Sequence, residues 1–158
     1  MARKGQRMDT ARVLWTGKRQ FVGRDEVGHS FVMDAPVESH GEGGGMRPLQ
    51  VFLCGLGGCT GMDVVSILEK KRQDVRGLEV RIEGEQRLDD YPRIYTKVLL
   101  HFVVTGYGVS PEAVARAIDL SEEKYCSVGG MLGPQVEVST SYEVLEAHEP
   151  GYAPGPPR

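Results

Sequence analysis

The feature that most constrains this chain is a stretch of 21 residues, Pro48 to Leu68, whose one charged side chain is Asp63. It reads PLQVFLCGLGGCTGMDVVSIL and is followed by the polar run EKKRQD. Proline suits a first helical position, where its missing N–H would have had no partner. Lys70, Lys71 and Arg72 suit the other end, where the helix dipole is negative. A helix from Pro48 to Arg72 would be roughly 37 Å long at 1.5 Å per residue. That length could also cross a bilayer, and Gly57-x-x-x-Gly61 is a close-packing motif of membrane helices. Gln50 and Asp63 oppose insertion, since an aspartate near mid-helix costs about 3 kcal/mol there. The flanking strands are amphipathic and need cover, so a buried helix of a soluble protein is expected. Being apolar all round, it must be covered on every side. The sheet of one 158-residue chain covers one side. The glycine face at Gly57, Gly58 and Gly61 is therefore expected to meet a two-fold-related copy of the same helix.

Short strands precede this helix. Alternation predicts strands over Thr10–Trp15, Gln20–Gly23 and Ser30–Met33, joined by Gly-containing turns as an antiparallel meander. Glu38–Met46 holds four glycines and reads as a flexible loop. Without GK[ST] or a flanking GxGxxG, it is not a phosphate cradle. After the helix, Leu78–Leu88 and Ile94–Thr105 form a long hairpin turned at DDYPR. Ser110 and Pro111 predict the start of a helix over Glu112–Leu120. Ser121 offers a second cap, for a helix over Glu122–Met131, and Val136–Leu145 is a final strand. Three strands, helix, two strands, helices and a strand give an α+β chain with a mainly antiparallel sheet. Residues 1–147 are expected to be a single domain. Residues 148–158 hold four of the nine prolines and read as a disordered tail.

Composition is ordinary, with 40% hydrophobic and 26% charged residues, so a core needs no metal or disulfide. A net charge of -3 with no basic block argues against nucleic acid as a partner. Arg3, Lys4 and Arg7 read as a solvated arm. The start, MARKGQRMDT, lacks signal-peptide character. Three cysteines, Cys54, Cys59 and Cys126, do not make a secreted disulfide framework. A cytoplasmic protein with no membrane partner is expected. His29, His40, His101 and His148 show no metal-ligand spacing with the cysteines, and no C-x-x-C exists, so no metal is expected. Each cysteine by itself reads more often as an inert core residue than as a reactive one.

The run GLGGCTGMDVVSILEKKRQDV, followed much later by DLSEEKYCSVGGML, resembles the OsmC/Ohr family, the osmotically induced and organic-hydroperoxide-resistance proteins. The resemblance extends from about Ala11 to Leu145 and includes PRIYTKVLLHFVVTG and AVARAIDLSEEKYCSV. It implies an OsmC-like fold, a mainly antiparallel sheet wrapped around two central helices of an intertwined homodimer. It also implies thiol peroxidase activity on hydroperoxides, with active sites at the dimer interface, no cofactor and an external dithiol reductant. Carried over by motif, Cys59 is the peroxidatic cysteine and Cys126 the resolving one. Cys54 matches neither motif and reads as core.

In the peroxidase branch, an arginine in a GRD-type turn and a glutamate after the helix-opening proline support the thiolate. Gly23-Arg24-Asp25 makes Arg24 a candidate, with a solvated turn arginine as the other reading. Leu49 and Gln50 stand where the glutamate would fall. Asp63, four residues after Cys59, shares its helix face, and its charge would disfavour a thiolate unless paired. Phe52, Leu56 and Met62 could line an apolar pocket or simply pack the core. Two other readings stay open: a non-catalytic small-molecule-binding or structural dimer of the same fold, and a thiol enzyme acting on a non-peroxide electrophile.

Overall fold

The computed structural model describes residue 5 and residues 7–148. Arg3, Lys4 and all of the tail except His148 lie outside the described residues. The chain divides into two compact units, Met1–Phe52 and Leu53–Arg158, with the boundary inside the long helix.

The first unit is an antiparallel meander of β1 (Ala11–Gly17), β2 (Gln20–Asp25) and β3 (Ser30–Met33). β3 has the expected bounds, β2 runs two residues further than expected, and β1 starts one residue later and ends two residues later. The glycine loop that follows closes around Asp34, which is 2% exposed. The Asp34 carboxylate accepts the N–H groups of Ala35 at 2.8 Å, Glu42 at 3.2 Å and Gly44 at 3.0 Å. The Gly44 N–H above all, with Ala35, Glu42 and the Gln20 side chain, holds this acid below its ordinary value, against the opposing effect of burial.

A depressed folded-state pKa makes the unfolded chain bind more protons, so stability rises with pH. The contribution of Asp34 is complete at neutral pH and is lost as pH falls below about 4, through the depressed value. Thermal unfolding followed by the fluorescence of the single Trp15 should show this acid loss. Asp34→Asn should lower stability at neutral pH and flatten the acid slope. An unchanged slope in the variant would remove Asp34 from the account.

The long helix, α1, runs Pro48–Lys70. At its start the Arg47 N–H donates to Gln50 Oε1 at 3.0 Å, half of a capping box, with Pro48 as the first helical residue. At its end Gln73 N–H donates to Leu68 O at 3.0 Å and Arg72 N–H to Glu69 O at 2.8 Å. This is a Schellman closure with Arg72 at φ 55° in the left-handed position usually taken by glycine. By length and composition α1 could cross a membrane.

In the second unit, β4 (Asp74–Gln86) and β5 (Tyr95–Tyr107) form the long hairpin. β4 starts four residues before the expected Leu78, because a register shift between Val75 and Gly77 lets the ladder run on to Asp74. β6 (Glu137–Glu146) completes a sheet of order β4-β5-β6. The β5–β6 ladder is parallel, whereas the β1–β2, β2–β3 and β4–β5 ladders are antiparallel. A parallel return needs a crossover of a dozen or more residues, and the segment carrying α2 (Pro111–Leu120) provides it. β5 is the central strand, and Val98, Leu100, Phe102 and Val104 alternate into the core. Leu56, Val64 and Leu68 of α1 and Val114, Ala117 and Ile118 of α2 complete that core.

The helix glycines correct one expectation. A Cβ at Gly57 would run into the Ile82 side chain of β4, and one at Gly61 would touch Val80 at 3.5 Å and Leu78 at 3.8 Å. These two glycines bring the helix onto its own sheet rather than onto a second copy. Gly55 and Gly58 meet nothing within 4 Å. Within the single chain, Cys54, Gly55, Gly58 and Met62 of the helix are exposed.

Candidate active site

Cys59 is set by α1, one turn before Asp63 and beside Thr60. Cys126 is set by the end of α2. Ser110 caps α2 as expected, accepting the Ala113 N–H at 3.2 Å. Ser121 does not cap a second helix. Its backbone is right-handed helical (φ -64°, ψ -48°), and its N–H bonds back to Ala117 and Ile118. The chain continues through one π turn, Ser121–Tyr125, and leaves helical geometry at Cys126. The Cys126 N–H donates to Ser121 O at 2.8 Å. A short 3-10 turn, Gly129–Met131, is all that follows of the expected helix over 122–131. The Ser121 hydroxyl is turned inward instead, donating to Asp63 Oδ2 at 2.9 Å from a fully buried residue.

That bond ties the end of α2 to the middle of α1, and the two cysteines meet beside it. The sulfurs of Cys59 and Cys126 and one carboxylate oxygen of Asp63 lie within 4.8 Å of one another. Cys59 and Asp63 are half-buried, and Cys126 is buried. Two thiols and a carboxylate are also a donor set suited to a metal ion.

The surroundings of Cys126 oppose one another electrostatically. Burial pushes its thiol above the ordinary value, and the Cys59 thiol adds to this, while Thr60 and the Gly129 N–H pull it down. The Gly129 N–H donates to Cys126 Sγ at 3.2 Å. Thr60 Oγ1 lies 3.3 Å from that sulfur and 3.0 Å from the Leu56 carbonyl. The hydroxyl has one hydrogen for two acceptors. Against a thiol it can donate to Leu56 and accept from Cys126, and against a thiolate it can turn to donate to the sulfur.

Two cavities lie along this part of α1, and of the cysteine pair only Cys126 lines one of them, the first. One, of about 100 Å³, is lined by Leu56, Thr60, Leu100, Glu122, Cys126 and Gly129, among others. Burial pushes the Glu122 carboxyl up, while its Oε2 accepts the Thr140 hydroxyl at 3.2 Å. The other is an open groove of about 520 Å³ between α1 and β4, lined by Cys54, Gly57, Gly58, Met62, Val80 and Ile82, among others. Leu56 and Met62 therefore belong to different cavities, rather than to one pocket around Cys59. Cys54 is exposed on the groove and is not a core residue.

Arg24 lies exposed on β2, opposite Arg12 of β1 and Ser30 of β3. Gln50 spends its carbonyl oxygen on the Arg47 N–H. His101 bonds Ser141 at 2.8 Å, with Glu143 at 3.4 Å, and Arg93 stacks on Tyr91. Ser121 is the site residue that sequence reading misplaced. Its sequence signal, a serine before two glutamates, fits an N-cap equally well.

Comparison with known proteins gives a consistent set. Residues 41–141 match the family described as OsmC-like protein. Protein YhfA of Escherichia coli (strain K12) is 45% identical over 137 residues, which are 87% of this chain and 98% of that protein. The crystal structure of a hypothetical protein from Aquifex aeolicus VF5 superposes with a TM-score of 0.79 at 29% identity, covering 90% of this chain and all of that one. An organic hydroperoxide resistance protein OsmC from Legionella pneumophila superposes with a TM-score of 0.68 at 18% identity, covering 87% of this chain and 98% of that one.

Proposed function

We propose that this chain, which belongs to the OsmC-like protein family, is a thiol-dependent hydroperoxide reductase in which Cys59 attacks and Cys126 resolves. The observation that carries the reading is the approach of the two sulfurs to within 4.8 Å, from segments 67 residues apart in sequence. A disulfide needs them at about 2.05 Å, a closure of under 3 Å. The end of the single π turn at Cys126 is where the backbone can supply it. The name carried by the Legionella protein, organic hydroperoxide resistance protein, agrees with this chemistry.

Cys59 is the more accessible sulfur, and burial keeps Cys126 protonated until it is needed. The Cys59 thiolate attacks the O–O bond of the hydroperoxide. The bond breaks, the alkoxide leaves and takes a proton from water, and Cys59 becomes a sulfenic acid. Cys126 then attacks that sulfur, water departs, and the disulfide forms. An external dithiol reduces it and closes the cycle. Arg24, carried over from the GRD-type turn of the peroxidase branch, is proposed to support the thiolate. Peroxide consumption with a dithiol tests the reading, comparing the wild type with Cys59→Ser, and with Arg24→Gln for the arginine. No consumption by the wild type would leave a non-catalytic binding protein.

The active unit is proposed to be a homodimer. Cys54, Gly55, Gly58 and Met62 expose an apolar strip of α1 beside the 520 Å³ groove, a surface that a second copy would bury. Sedimentation at micromolar concentration should give twice the 17.4 kDa chain mass. A stable monomer would contradict it. A reducing compartment such as the cytosol is proposed, because the cycle draws on an external dithiol.

A further inference from the structure

We propose that Cys59, Asp63 and Cys126 together form a binding site for a zinc-type divalent cation. The peroxidase reading explains the two sulfurs but has no use for Asp63. An ionised carboxylate beside two thiols opposes the thiolate that peroxide chemistry requires. Yet the fold holds this acid in position, through the Ser121 hydroxyl at 2.9 Å, in a bond that joins residues 58 positions apart. Three groups that repel one another as anions become mutually compatible once a cation sits between them.

The geometry suits such an ion. Zinc bonds thiolate sulfur at about 2.3 Å and carboxylate oxygen at about 2.0–2.2 Å, usually tetrahedrally. Ligand atoms around one tetrahedral zinc are therefore roughly 3.5–3.8 Å apart. The three donor atoms here already lie within 4.8 Å of one another, so an inward adjustment of about 1 Å is enough. Two soft sulfurs with one hard oxygen favour zinc over calcium or magnesium, which prefer all-oxygen sites. Three protein ligands leave the fourth position to water.

The supporting contacts are those a metal site needs. Ser121 orients the Asp63 carboxylate, and that oxygen set has lone pairs left to ligate. The Gly129 N–H at 3.2 Å and Thr60 Oγ1 at 3.3 Å steady the Cys126 sulfur. A pocket of about 330 Å³ is lined by Asp63 with Ser66, Lys70, Lys71 and Tyr125, and the small cavity is lined by Cys126, so two of the three donors border open space. Binding converts two thiols to thiolates, releases their two protons and changes no oxidation state. An occupied site withholds both sulfurs from peroxide, so metal and oxidant compete for the same residues.

The test uses the full-length, fully reduced protein and needs no peroxide, so its failure is separable from failure of the peroxidase reading. Zinc is titrated in competition with a chromophoric chelator, and cobalt(II) serves as the spectroscopic probe. We expect one zinc per chain, and a cobalt adduct with tetrahedral visible bands and sulfur-to-cobalt charge transfer. Cys59→Ser and Cys126→Ser should abolish the adduct, and Asp63→Asn should weaken zinc at least tenfold. Ser121→Ala should weaken it roughly tenfold, as loss of an orienting partner does. Cys54→Ser should bind as the wild type. Circular dichroism checks that each variant folds. If the Cys126 variant does not fold, the wild-type cobalt spectrum and the Cys59 and Asp63 variants decide. No stoichiometric zinc binding, a cobalt spectrum without thiolate bands, or equal affinity in Asp63→Asn would each overturn the proposal.

Discussion

Cys59→Ser should abolish peroxide turnover, while Cys126→Ser should stop it after one oxidation per chain. The divergence follows from the placement of the two sulfurs. Cys59 is half-buried and should meet peroxide first, whereas Cys126 is 8% exposed and held up as a thiol by burial. Without Cys59 no sulfenic acid can form, so turnover should fall to the uncatalysed rate. Without Cys126, Cys59 can still be oxidised, but the sulfenic acid has lost its assigned resolving thiol. It should then persist or proceed to the sulfinic acid. Mass spectrometry after one equivalent of cumene hydroperoxide reads both outcomes. The wild type should carry a Cys59–Cys126 disulfide, and the Cys126 variant a sulfenic or sulfinic Cys59. If the adduct falls on Cys126 in the Cys59 variant, the roles are reversed. If Cys54 proves to be the partner, the assigned pair is wrong.

A large loss of stability from a single added methyl should come at Gly106→Ala. Gly106 sits near the end of β5, buried, opposite Val75. A Cβ there would strike the backbone carbonyl of Asp74 and lie 2.5 Å from Val109 Cγ2. A flexible side chain could swing aside, but the start of β4 and the turn into α2 cannot both retreat. Overpacking of this kind costs about 3 kcal/mol. Chemical denaturation should show that loss. Gly130→Ala serves as the control, because nothing lies within 4 Å of its added carbon and the residue is exposed. It should be close to neutral. Similar midpoints for the two variants would refute the close approach.

These contrasts show what a sequence can carry. Pro48, Ser110 and Pro111 announce helix starts through local chemistry, and the structure agrees at each. The β4–β5 hairpin was legible because alternation and a turn sequence lie side by side. Nothing local distinguishes Gly57 from Gly58, yet one rests on Ile82 and the other faces open space. Which side of a helix meets its own sheet is decided by register, and register is set by residues far along the chain. The Ser121–Asp63 bond is similar, because a serine before two glutamates looks like a cap until the buried acid it serves is known. The cysteine pair was legible through family resemblance, not through spacing. Its separation of 67 residues sets no distance. The direction of β6 was not legible either, since a terminal strand reads alike in both directions.

That last strand has a consequence for synthesis. β6 lies beside β5 from Lys97↔Glu137 to Gly106↔Glu146. Until some forty residues after β5 have left the ribosome, the central strand of the finished sheet is an edge strand. Its unpaired N–H and C=O groups can meanwhile join any other extended chain. A nascent or truncated chain ending before Glu137 should therefore be prone to aggregation, although α1, the hairpin and α2 are all complete.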